Sequence, residues 1–140
     1  MRQEEGNIFE AWSISESRMT NNQWARDSFL VELIDNGDGY YWIRSKHGRY
    51  IDMRQEEGDI QNARSISEYH MKTTQWARDS FVVKLIDNGD GYFFVKSKYG
   101  RYLDMRQEDG DIQNAWSISE SHMINNQWTR DSFVVLFVRA

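Results

Sequence analysis

Three short words in this chain have the residue types to do chemistry: Arg2-Gln3-Glu4, Arg54-Gln55-Glu56 and Arg106-Gln107-Glu108. Each sets a cation, an amide and a carboxylate side by side. Asn62 and Asn114 follow the second and third words on what reads as the neighbouring strand, and Glu10 holds that place after the first. Directional donors and acceptors clustered on a shallow surface are what the hydroxyls of a sugar require. Two readings fit them: a glycan-binding face, or a solvated polar face copied with the rest of the sequence.

Other residues bear on the same choice. Trp24, Trp76 and Trp128 recur at one place. A tryptophan there either fills the core, the commoner role, or stacks on the C–H face of a hexose. Trp12 and Trp116 alternate with Arg64; a position that takes both types is expected to be partly exposed, with the arginine stem laid over apolar neighbours. His47, His70 and His122 do not recur as a set, so they are expected on the surface and not at a metal or an active site. Asp35-Asn36-Gly37-Asp38-Gly39 and its copy at 87–91 have neither the ligand spacing nor the helical flanks of an EF-hand and read as hairpin turns. No nucleophile–base pair or acid pair stands out, so neither an enzyme nor a cofactor is expected.

Composition narrows the partners. A net charge of −5 without any basic run argues against nucleic acid and against anionic membrane surfaces. There is no cysteine, hence no disulfide framework and no thiolate metal site. No apolar run approaches a signal h-region or a membrane span, so a soluble chain is expected, with no address to fix its location. Aromatic residues, at 14%, offset a modest 39% hydrophobic content, because large rings bury much area each.

The elements that must position these residues come from a repeat. The chain divides into units of 52 residues, 1–52 and 53–104, with a shorter third at 105–140; units one and two share 35 of 52 residues, and units two and three share 24 of 36. Each unit is organised around a stretch such as Gly39-Tyr40-Tyr41-Trp42-Ile43-Arg44-Ser45-Lys46-His47-Gly48-Arg49-Tyr50-Ile51-Asp52. It reads as an aromatic and β-branched strand, a glycine turn and a second alternating strand. Asn7–Ser13 reads as a short strand, Ile14–Gln23 as a polar surface loop, and Phe29–Ile34, Phe81–Ile86 and Phe133–Val138 as strands. Alternation turns Phe29, Val31, Leu33, Phe81, Val83, Leu85, Phe133, Val135 and Phe137 into one core with Tyr41, Ile43, Phe93 and Val95. No helix is expected. Four strands repeated three times is the plan of a β-trefoil, here one all-β domain over 1–140 whose chain begins inside the first repeat.

Gly-Tyr-x-x-Ile/Val-x-Ser-x-x-Gly-Arg-Tyr-Ile/Leu, a charged-Gly turn, then Gln-Trp and a Phe-led strand resemble the β-trefoil repeat of fascin-like proteins. The strand pattern is also similar to that of the fibroblast growth factors. Trefoils host actin bundlers, growth factors, protease inhibitors and lectins, so the fold does not choose among them. Two functions follow. The leading one is a multivalent glycan-binding module, in which linked weak sites gain avidity. The second, implied by the fascin-like resemblance, is a module that binds or bundles actin filaments. The third unit ends 16 residues short, so one Gly-Tyr/Arg-Tyr strand pair lacks its copy beside Phe133–Val138. Leu136 stands there in place of Glu32 and Lys84, and an edge stripped of charge is expected to be covered, through a homo-oligomer or by N-terminal residues preceding Met1.

Overall fold

The computed structural model describes residues 1, 6–21, 28–54, 58–74, 79–105, 112–125 and 131–138. Within them the strands are β1 (Ile8–Glu10), β2 (Trp12–Ile14), β3 (Val31–Gly37), β4 (Tyr40–Ser45), β5 (Arg49–Asp52), β6 (Ile60–Asn62), β7 (Arg64–Ser67), β8 (Val82–Asp87), β9 (Phe93–Ser97), β10 (Tyr102–Asp104), β11 (Ile112–Asn114), β12 (Trp116–Ile118) and β13 (Val134–Val135). Three short helices interrupt them: α1 (Glu16–Asn21), α2 (Glu68–Thr73) and α3 (Glu120–Asn125).

Threefold pairing organises the molecule. β1 of unit one pairs with β7 of unit two, β6 of unit two with β12 of unit three, and β11 of unit three with β2 of unit one, all antiparallel. The registers are equivalent: Ile8 opposes Ile66, Ile60 opposes Ile118, and Ile112 opposes Ile14. The expected Asn7–Ser13 strand is thus broken in two at Ala11, because the chain changes partners there. At the three breaks Ala11 N–H donates to Ala63 O, Ala63 N–H to Ala115 O and Ala115 N–H to Ala11 O, each at 2.9 Å. This closed ring marks the threefold axis. A second mark lies in the backbone nitrogens of Met1, Met53 and Met105, which donate to Ser28, Ser80 and Ser132 O at 2.6, 2.8 and 2.7 Å.

Away from the axis, β3, β4, β8, β9 and β13 follow one another as antiparallel neighbours. β5 and β10 turn back from β4 and β9 onto β7 and β12. The turns that do this place Gly48 and Gly100 at φ of 85° and 86°, the left-handed region that a side chain resists. The central core gathers Ala11, Ile43, Ile51, Met53, Ala63, Val83, Val95, Leu103 and Ala115 around the axis, with Leu85, Val135 and Phe137 at its margin. Two satellite clusters repeat each other: Tyr50, Ile66, Met71 and Phe81, then Tyr102, Ile118, Met123 and Phe133 with Phe94. The expected all-β, threefold plan of a β-trefoil is what the chain adopts.

Three expectations are corrected. The polar loop over Ile14–Gln23 and its copies contains a helix. Ser15, Ser67 and Ser119 Oγ accept the amides of Arg18, His70 and His122 at 3.2, 3.0 and 3.2 Å, as N-caps do. Met71 and Met123 then bury against the strands. Second, Val31 and Leu33 are 43% and 37% exposed, whereas Val83 is fully buried. β3 pairs with β4 alone among the described residues, while β8 lies between β4 and β9. Third, the strand expected over Phe133–Val138 shrinks to Val134–Val135, held by β9, with Leu136 and Val138 exposed.

Candidate functional site

Residues flanking the alanine ring share a surface. In the first row, Asp52 on β5, Arg64 on β7 and Glu10 on β1 are directly opposed across three strands. The second row is its copy: Asp104 on β10, Trp116 on β12 and Asn62 on β6. In the third, Trp12 on β2 opposes Asn114 on β11. Opposed side chains on neighbouring strands leave the backbone roughly 5 Å apart. Each row therefore holds its polar group within reach of the same small molecule as its indole or guanidinium.

Trp12, Asn62, Arg64, Asn114 and Trp116 are half-buried, and Glu10 is exposed. The partial exposure expected where Trp alternates with Arg is thus observed. Each of Trp12 and Trp116 lies far along the chain from the asparagine it opposes. The strand break at Ala11 and its copies brings them together, because each tryptophan then faces the asparagine of another unit. An amide presents two donors and a two-lone-pair acceptor, and an indole presents an apolar face with one N–H. Two rows thus carry one chemistry. The third carries a carboxylate and a guanidinium.

Of the other residues expected at a site, Arg54 is half-buried just beyond the end of β5. Arg2, Gln3, Glu4, Gln55, Glu56, Arg106, Gln107 and Glu108 lie outside the described residues, as do Trp24, Trp76 and Trp128. Asn62 and Asn114 fall on the equivalent strands β6 and β11.

Arg49 and Arg101 carry a role that the sequence did not reveal. Arg49 Nε donates to Ser65 Oγ at 2.7 Å, Nη2 to Ser65 O at 2.9 Å and Nη1 to Gly6 O at 2.8 Å. Arg101 repeats the set on Ser117 Oγ, Ser117 O and Gly58 O, each at 2.8 Å. Both are buried, and each also caps its turn through a backbone N–H to Ser45 or Ser97 Oγ at 3.1 Å. These guanidiniums lock one unit's hairpin to a strand of the next unit and to the segment just before β1 or β6 of its own unit. The available signal was a cation directly before Tyr and an aliphatic residue in both copies of Gly-Arg-Tyr.

The Asp-Asn-Gly-Asp-Gly stretches are hairpin turns. Asp35 and Asp87 Oδ1 accept from Gly37 and Gly89 N–H at 2.8 Å, so these carboxylates are engaged by their own turns. His47 is exposed, and His70 and His122 are half-buried on α2 and α3. Among the described residues no group of three or more His, Cys, Asp or Glu side chains is placed to hold a metal. No helix among them is long and apolar enough to cross a membrane.

No protein-family model and no curated protein matches the chain. A search of solved structures finds a crystal structure of a designed threefold-symmetric protein, ThreeFoil. Its TM-score is 0.61 and its identity 25%, over 79% of this chain and 71% of that one. That neighbour is a β-trefoil, in agreement with the threefold pairing described above.

Proposed function

We propose that this β-trefoil is a non-enzymatic, multivalent carbohydrate-binding module. Its two like sites are the rows Asn62–Trp116 and Asn114–Trp12, and the Glu10–Arg64 row forms a third with ionic chemistry. The carrying observation is the repeated opposition of an amide and a half-buried indole around one axis. An indole face takes the C–H face of a pyranose, while the amide fixes hydroxyl directions. Of the Arg-Gln-Glu words only Arg54 lies among the described residues, and it adds a further donor in this reading. Weak individual sites gain strength by linkage.

A glycan array followed by agglutination tests this. The expected result is binding to at least one glycan class that is lost in the double variant Trp12→Ala, Trp116→Ala, assayed below the variant's own melting midpoint because Trp116 also packs against the core. An array without binding, or a double variant that agglutinates undiminished, overturns it. Co-sedimentation with actin filaments alongside an empty array would put the fascin-like, actin-binding reading in its place.

A further inference from the structure

The row that departs from the other two calls for a different ligand group. Arg64 on β7 stands between Asp52 on β5 and Glu10 on β1, each directly opposite it. The copy of this row sets Trp116 between Asp104 and Asn62. Two changes therefore separate them, Arg for Trp and Glu for Asn, and the two changed residues face each other across one strand pair. The register beside them is the same in both copies, Ile8 to Ile66 and Ile60 to Ile118.

Arg64 is half-buried and Glu10 is exposed. Among the described residues the two side chains form no ion pair with each other, although strand pairing sets them opposite. Other cations of the chain do reach a carboxylate, as in Arg44–Glu68 at 3.6 Å and Lys98–Asp79 at 3.8 Å. A ligand group can therefore meet both Glu10 and Arg64, and their residue types define it. A carboxylate only accepts hydrogen bonds and a guanidinium only donates them, whereas the asparagine amide of the other rows does both. The ligand must offer a fixed donor toward Glu10 and a fixed acceptor toward Arg64. Full charge is disfavoured in either sign: a ligand carboxylate would sit beside Glu10 and Asp52, and a ligand ammonium beside Arg64. A secondary amide is neutral, planar and trans, with N–H and C=O on opposite edges. Both of its hydrogen bonds here are charge-assisted. On a sugar this group is the acetamido substituent, whose methyl can lie over the apolar stem of the arginine.

We infer that the Glu10–Arg64 row recognises the acetamido group of an N-acetylated hexosamine, with Glu10 accepting its N–H and Arg64 donating to its C=O. This rests on the carbohydrate-binding reading above and narrows it for one row. Glu10 and Arg64 are its specificity-determining residues, because a one-way acceptor facing a one-way donor selects the polarity of the group between them. The Asn62–Trp116 and Asn114–Trp12 rows make no such demand, since an amide and a hydroxyl can each donate or accept.

The test is an NMR titration of the whole chain with monovalent sugars. The probes are the methyl glycosides of N-acetylglucosamine and N-acetylgalactosamine, set against those of glucose, galactose, glucosamine and glucuronic acid. The expected result is saturable shifts of the Arg64 Nε–H and the Glu10 amide with an N-acetylated sugar, at least about tenfold tighter than with its parent sugar, the amine or the acid. Glu10→Gln keeps the size of the side chain but adds a donor, and is expected to reduce that preference to below about threefold. Equal affinity for acetylated and parent sugars overturns the inference, as does a preference for the acid or the amine. A preference that survives both Glu10→Gln and Arg64→Gln also overturns it. If sugars shift the Trp12 and Trp116 indole N–H signals while Glu10 and Arg64 stay unmoved, this inference falls and the carbohydrate reading stands. If no sugar shifts any row, both fall.

Discussion

Arg101 shows why a charge is buried immediately ahead of β10. Its three side-chain donors each meet an oxygen at 2.8 Å, so burial strengthens the bonds and leaves none of those donors exposed to solvent. Lysine keeps the charge but not the planar fork. Arg101→Lys is therefore expected to cost about 3 kcal/mol, read as a lowered urea midpoint at constant m-value. An unchanged midpoint would show that the network contributes no net stability. The Met1 amine gives a second test at this scale. Burial, and then the nearby Arg49 guanidinium, lower its pKa from 8.0 to about 6. Between those values the unfolded chain binds more protons than the folded one, so stability rises as pH increases from 6 to 8 and is lost as pH falls back. Below pH 6 the amine is charged in both states and the penalty is constant. The full swing is roughly 2–3 kcal/mol. Acetylating the amine should flatten that part of the stability–pH curve.

At the scale of elements, the three helices are near-copies with unequal cover. Each starts at a serine cap, and α2 and α3 are sealed by Met71 and Met123 under the neighbouring hairpins. α1 buries no residue. The phenylalanines that pack with them follow suit: Phe81 and Phe133 are each 1% exposed, whereas Phe29 is half-buried. Phe81→Ala should cost on the order of 3–5 kcal/mol by opening a cavity. Phe29→Ala should cost less than half as much, since its side chain starts partly in water. Paired thermal melts of the two variants check this, and equal losses would mean that Phe29 is sealed in solution.

For the molecule as a whole, sequence symmetry exceeds structural symmetry. The alanine ring closes completely, but among the described residues the run β3-β4-β8-β9-β13 has two ends. Unpaired edges open more readily than strands held on both sides. Native-state hydrogen exchange should therefore show β3 amides exchanging well before those of β8, although the two sequences are near-copies. Matching rates would mean that β3 is covered in solution.

Much of this was legible in the residues themselves. The 52-residue period, Gly-rich turns and alternating aromatic strands determine a threefold all-β fold, because turn chemistry and side-chain alternation are local properties. The placement of Asn62 and Asn114 on equivalent strands followed from the same period. The helices were also written locally, in Ser-Glu followed by a methionine, but the surrounding polar residues obscured that signal. What only the tertiary structure decided involves residues far apart in the chain. Nothing near Trp116 in sequence says that it faces Asn62, because that register belongs to two units meeting at a common axis. Arg49 acquires its role from Ser65 and Gly6, which are 16 and 43 residues away. The alternation that placed Val83 in the core also placed Val31 there, and it was right for only one of them. Alternation fixes which side chains share a face. Only the presence of neighbouring strands decides whether that face is covered.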